Sequence, residues 1–176
     1  MIKKGYQLQR SNRKSIVIKI KEDGTVLIKA PNFVSEKEID RIVQKRADWI
    51  AKCKERQNNK RTFTEQEISE YRKRARLRFT ETVRNYESQL GVSVNKIYVK
   101  DQKTRWGSCS NKGNINLNWR LILAPQEVME YVIIHELCHL KEMNHSKNFW
   151  KLVEDACPDY RERKQWLKEN ADKLGC

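Results

Sequence analysis

The chain has 176 residues, 34% charged and 38% apolar, with a net charge of +14. Five Trp and six Tyr ask for burial, so the composition is that of a soluble folded protein at its polar end and excludes a disordered chain. No run of about 18 apolar residues exists to span a membrane, and the basic start MIKKGYQLQR lacks the apolar stretch of a secretory signal.

The first elements in chain order are strands. Residues 6–30 read as a small β-meander: Ile16, Ile18 and Ile20 alternate onto one face, and Val26 and Ile28 repeat the pattern. Asp23-Gly24 between them is a hairpin signal, and Pro31 ends the unit. Ser35 and Glu38 form a capping box that opens one helix to about residue 57, with Ile39, Ile42, Val43, Trp49, Ile50 and Cys53 as its apolar stripe. The polar QNNK at 57–60 is a linker signal. Thr64 and Glu67 cap a second helix, striped by Ile68, Tyr71, Ala75, Phe79, Val83, Tyr86 and Leu90 and closed by Gly91. A short strand follows at KIYVK, 96–100. Ile115, Leu117 and Trp119 then alternate with Asn114, Asn116 and Asn118, the pattern of a strand with one apolar and one polar face. Pro125 suits the start of the next helix, and two more helices follow on either side of Pro158.

Charge and cysteines are unevenly informative. Residues 1–62 carry 17 basic and 7 acidic side chains, whereas residues 125–176 carry 8 and 10. The basic N-terminal part is compatible with a nucleic-acid partner and equally with plain solubility. The five cysteines are scattered, odd in number and never C-x-x-C, as expected of reduced thiols in a cytoplasmic protein.

The helix that begins near Pro125 carries Val128, Val132, Ile133, Ile134, Leu137 and Cys138, so it is apolar on most sides and belongs in a core. Yet it also holds His135, Glu136 and His139, and buried polar groups need partners. His135 and His139 stand at i and i+4, on one face about a turn apart, where two imidazoles can reach one ion. Glu136 is rotated about 100° around the helix, able to face a water on that ion. This is H-E-x-x-H, the pattern of zinc metallohydrolases, with the glutamate as general base. The third and last histidine, His145, completes a cluster within eleven residues. It has the offset of the third metzincin ligand, although Glu142 stands where that pattern places glycine, and Asn144 is the candidate left-handed residue in its stead. Glu154 is the rival third ligand, or a partner to a ligating histidine.

The segments RWGSCS, INLNWRLILAP, YVIIHELCHLKEMNHSKNFW and PDYRERKQWL together resemble the YgjP-like metallopeptidase family, which is related to SprT-like proteins within the zincin group. The resemblance is close over residues 93–170. It implies an α+β fold: a zincin-like core with a small antiparallel sheet packed on the H-E-x-x-H helix, preceded by the β-meander and two helices. It implies one Zn²⁺ per chain on His135, His139 and His145, with Glu136 as base. It also implies that the strand from Ile115 to Trp119 lies near substrate and takes it by strand addition, which singles out Asn116. Arg105 of RWGSC is a candidate for oxyanion or phosphate binding, and Trp106 for a pocket wall or the core. Members of the family are described as peptidases or metal-dependent hydrolases, some as nucleotide pyrophosphatases.

The expected organisation is a basic N-terminal part, 1–62, and a metallohydrolase core with its leading helix, 63–176, or one continuous domain. The expected function is a cytoplasmic zinc metallopeptidase acting on a peptide or protein substrate. One alternative is a metal-dependent nucleotide phosphohydrolase, with Lys103 and Arg105 on phosphates. Another is a nucleic-acid-associated SprT-like protease, or a binding protein in which zinc is only a staple.

Overall fold

The computed structural model describes residues 5–21, 23–58, 61–102 and 104–175. The chain divides into two units, Met1–Lys60 and Arg61–Cys176. Among the described residues no helix is long and apolar enough to cross a membrane.

The N-terminal unit holds β1 (Gln7–Ser11), β2 (Val17–Ile20) and β3 (Val26–Pro31), then α1 (Glu36–Lys45) and α2 (Ala47–Asn58). Asp23-Gly24 makes the expected turn between β2 and β3: Gly24 takes φ 77°, and the Thr25 N–H donates to Asp23 Oδ1 at 2.8 Å. The sheet is not a meander, however. Its order is β1-β3-β2, with β1 parallel to β3 and β2 antiparallel to it. The physical reason is burial. Val26, Ile28, Ala30 and Pro31 of β3 are buried, so the most apolar strand takes the centre and the polar QLQRS of β1 lies at an edge. The single helix expected from Ser35 is two, broken at Arg46, which leaves the helical region at φ −107°, ψ 11°. Neither glycine nor proline marks that break. The core is small: Tyr6, Val26, Ile28, Ala30, Val34, Ile39 and Ile50.

The C-terminal unit opens on α3 (Glu65–Leu90), capped reciprocally by Thr64 and Glu67 and ended by left-handed Gly91. Then come β4 (Lys96–Lys100), β5 (Gly107–Cys109) and β6 (Asn114–Asn118), a 3₁₀ turn over Trp119–Leu123, α4 (Gln126–Cys138), α5 (Lys147–Ala156) and α6 (Tyr160–Asn170). The sheet order is β4-β6-β5. β5 pairs antiparallel with β6 through the Ser110–Gly113 turn, which sends β6 back alongside β4 in β4's own direction. The expected antiparallel sheet is therefore a mixed one, within an α+β unit. Trp119 does not continue the strand. Asn118 Oδ1 accepts the Arg120 N–H and starts the 3₁₀ turn, which carries Trp119 into the core, stacked on Tyr71 at 5.7 Å.

α4 is the centre of this unit. Val128, Met129, Tyr131, Val132, Ile133, Ile134, Leu137 and Cys138 are all buried on it. Phe79 and Val83 of α3, Ile115 and Leu117 of β6, Phe149 and Val153 of α5 and Leu167 of α6 join them in one apolar cluster. A helix apolar on every side demands neighbours on every side, and the elements around α4 supply them.

Candidate metal centre

α4 ends at Cys138, and His139 is its C-cap. The N–H groups of Lys141 and Glu142 both return to the Cys138 carbonyl at 3.0 Å, so the chain turns immediately after the second histidine. The turn needs no left-handed residue: among the described residues no non-glycine has a positive φ. Asn144 works through its side chain instead, its Oδ1 accepting the Ser146 N–H at 2.9 Å. This delivers His145 back to the helix end. The next helix starts at once, with the Ser146 hydroxyl accepting the Phe149 N–H. Buried Phe149 then lies 4.4 Å from the ring centre of His139, 4.8 Å from that of His135 and 4.7 Å from that of His145. One phenyl ring thus packs against all three imidazoles.

One ligand atom from each of His135, His139 and His145 lies within 4.8 Å of the others, and Nε2 of His135 and Nε2 of His145 are 3.1 Å apart. His139 Nδ1 lies 3.1 Å from the Glu142 carbonyl. A carbonyl only accepts, so Nδ1 holds the proton and Nε2 is left with a lone pair. Burial, and then the neighbouring histidines, push His135 down to about 3. Burial lowers His139 as well. Neutral imidazoles are the form that ligates, and His135 Nδ1 is a buried polar atom without a hydrogen-bond partner. A converging three-nitrogen set, two of its imidazoles held toward the neutral form by burial, fits a divalent metal with an open fourth position.

Glu136 is 5% exposed, and burial pushes its carboxyl up to about 8 against the opposing pull of Arg105. Its fit depends on a glycine. A Cβ placed on Gly107 would stand 2.5 Å from Glu136 Oε1 and 2.7 Å from its Cγ, so the carboxylate lies on bare backbone of β5. Arg105, Trp106 and Gly107 line one cavity of about 350 Å³ with Tyr131, His135 and Glu136. The loop carrying Arg105 is held by buried Asn118, whose Nδ2 donates to the Gln102 carbonyl at 2.7 Å.

Two expectations land elsewhere. Glu154 is exposed and ion-paired with Arg161 at 3.2 Å, and the histidine cluster forms without it. Asn116 sits on β6, opposite Ser108, and its Nδ2 donates to Ser108 Oγ at 3.1 Å. Alternation along β6 turns it away from Ile115 and Leu117, which face the helices, and so away from Glu136. Strand addition at β6 is also excluded, because β4 and β5 occupy both of its edges; of these two edge strands, β5 is the one that meets Glu136. Lys103 lies outside the described residues.

Sequence reasoning passed over Tyr131, Lys164 and Lys168, which line the cavity. Tyr131 had a signal, since it stands four residues before His135 on the same helix face. The lysines, on α6, had none.

Comparison with known proteins adds the family. None of the curated proteins compared with this chain matches it. Among solved structures, the metallopeptidase zymogen abylysin of Pyrococcus abyssi is 26% identical, covering 52% of this chain and 93% of its own, with a TM-score of 0.47. The metallopeptidase zymogen jannalysin of Methanocaldococcus jannaschii is also 26% identical, covering 51% and 95%, with a TM-score of 0.43. The family described as "YgjP-like, metallopeptidase domain" matches residues 14–70 and 68–170, nearly the whole chain, and this protein belongs to that metallopeptidase family.

Proposed function

We propose that the protein is a zinc-dependent peptidase in which His135, His139 and His145 hold the ion and Glu136 is the general base. The observation that carries this reading is the pairing of the converging imidazoles with a buried carboxyl in the cavity that His135 also lines. A bound zinc ion supplies Lewis acidity, lowering the pKa of a water molecule toward about 7 and polarising the carbonyl under attack.

The chain's own residues do the rest. Burial raises the Glu136 carboxyl above an exposed glutamate, so it holds a proton more readily than one in water. It is therefore suited to take a proton from the attacking water and to return it to the leaving amine. Gly107 lets it approach β5 closely and keeps it aimed. The edge strand β5 is the one an extended peptide would join, and Arg105, on the cavity wall, faces the negative charge that develops on the carbonyl oxygen. Unpaired thiols at Cys53, Cys109, Cys138 and Cys157 suit a reducing, cytoplasmic location.

The test is Glu136→Gln, which keeps size and removes the base. Zinc content and fold should survive while peptide turnover falls by roughly 10²–10⁴-fold. Full turnover with zinc retained would sink the mechanism.

A further inference from the structure

The cavity that holds Glu136 and His135 is also lined by three cations, Arg105, Lys164 and Lys168. The other cations of α6 and several around this unit are paired: Arg161 with Glu154, Arg163 with Asp159, Arg120 with Asp101, Arg78 with Glu81 and Lys151 with Asp155. Among the described residues no carboxylate lies within 4.0 Å of the side-chain nitrogens of Arg105, Lys164 or Lys168. The one carboxyl on the cavity wall is Glu136, and it is buried.

Lys164 is moreover held in place. Its Nζ lies 4.6 Å from the ring centre of Trp150, a cation–π distance. The Trp150 ring centre lies 5.7 Å from that of His135 and 5.8 Å from that of His145. Trp150 in turn stacks on Tyr160 at 5.4 Å. The aromatic run therefore fixes an ammonium beside His135 and His145. Lys168 follows four residues later on the same face of α6, and both lysines also border a second cavity, of about 600 Å³, with Trp150 and Tyr160. Their charges thus line a path that leads away from the histidine cluster along α6.

A negatively charged occupant of this cavity would meet all three cations at once. A stacked nucleobase fits poorly, because the Trp150 and Tyr160 rings are engaged with each other, with Lys164 and with Arg161, whose guanidinium lies 5.3 Å from the Tyr160 centre. A carboxylate needs no ring face. It needs only point charges held in register along an extended backbone. We propose that Lys164 and Lys168, beyond Arg105 with its place at the carbonyl oxygen, are specificity residues, selecting peptides with acidic side chains beside the scissile bond. This rests on the peptidase reading above.

The test uses the full chain loaded with zinc and quenched fluorescent peptides that differ only in Asp/Glu against Asn/Gln or Lys around one bond. The acidic peptide should be cleaved with a kcat/KM about tenfold above its neutral twin at low salt, the margin shrinking as salt rises, since the charges are exposed. Lys164→Glu with Lys168→Glu should invert the order toward the lysine peptide, with zinc content unchanged. Cleavage without an acid preference, or a preference that survives the double reversal, overturns the proposal. If zinc-loaded protein cleaves no peptide at all, the peptidase reading fails, and binding then decides the specificity wall separately. Glu136→Gln should bind a fluorescein-labelled acidic peptide about tenfold more tightly than the neutral twin by anisotropy. Equal binding, or tighter binding of a nucleoside triphosphate than of the acidic peptide, overturns it.

Discussion

The two units of the chain treat polarity in opposite ways. In the N-terminal unit the buried set is Tyr6, Val26, Ile28, Ala30, Val34, Ile39 and Ile50, and its one polar atom, the Tyr6 hydroxyl, donates to Asp40 Oδ1 at 2.5 Å. Most of its described lysines and arginines are exposed, although Arg13 Nε is buried without a hydrogen-bond partner. In the C-terminal unit Glu136, His139, Asn118 and Thr82 are buried, and His135 keeps an unpartnered Nδ1. Burying such groups costs about 1–3 kcal/mol each when unpaired. A fold carries that cost where the groups have a further use. The difference teaches that the place to look for chemistry is where the core is polar, and the surface charge of the other unit asks for no such explanation.

The largest effect that would break this comparison is loss of the metal. His135→Ala, or His139→Ala, should leave about one zinc per chain fewer by metal analysis, because two nitrogens do not hold the ion as three do. The C-terminal unit should stay folded, since the apolar cluster around α4 is untouched. Full zinc occupancy in both variants would mean that the polar groups of this core serve another end.

Next in size is Gly107→Ala. Its added methyl would meet the Glu136 carboxyl at 2.5 Å, so either β5 or Glu136 must shift. A displacement of about 1 Å at a general base is worth roughly 10²-fold in turnover. The expected signature is zinc retained, peptide binding largely kept and kcat reduced by that order. A normal kcat would show that Glu136 tolerates a different seat and that the close approach is only packing.

Gly107 also marks the limit of what the residues disclose. His135, Glu136, His139 and His145 are legible because helix spacing alone places three of them, and the fourth is the only histidine left. RWGSC is not legible: a glycine in a turn and a glycine under a carboxylate read alike in one dimension. The lysines of α6 are invisible for a related reason, since they stand far along the chain from the histidines they neighbour in space. In the N-terminal unit the alternation of Ile16, Ile18 and Ile20 locates a strand but carries no information on its neighbour, so the order β1-β3-β2 replaces a meander. The break at Arg46 lies within an apolar stripe that continues on both sides of it.

A smaller effect is expected from pH on metal-free protein. Glu136 is raised from the ordinary 4.5 to about 8. A carboxyl raised on folding contributes stability that is fully present below its unfolded value and is lost as pH rises through the folded one. His135 is lowered from 6.5 to about 3, so its contribution is present above 6.5 and is lost as pH falls toward 3. The two act on opposite limbs. Comparing thermal unfolding of wild type and Glu136→Gln, both stripped by chelator, isolates the first. Their difference in Tm should fall between pH 4.5 and 8, in favour of the variant at the alkaline end. A flat difference would place Glu136 in water and not in the core.

The smallest effect is predicted for Phe33→Ala, read against the same substitution at Phe79 in the other unit. Phe79 on α3 is 0% exposed inside the apolar cluster, while Phe33, in the turn after β3, is 82% exposed. Phe79→Ala removes a packed ring and leaves a cavity, a loss of about 3–5 kcal/mol. Phe33→Ala removes a ring already in water and should stay within about 0.5 kcal/mol of wild type. Because two units need not unfold together, a single melting temperature does not separate them. Amide hydrogen exchange, read by peptide within each unit, does. Exchange should accelerate in the C-terminal unit of Phe79→Ala and remain unchanged in the N-terminal unit of Phe33→Ala. Faster exchange around β3 and α1 in Phe33→Ala would mean that this ring is covered in solution, and the surface of the N-terminal unit would then share the property that sets the other apart: a side chain whose placement only a partner explains.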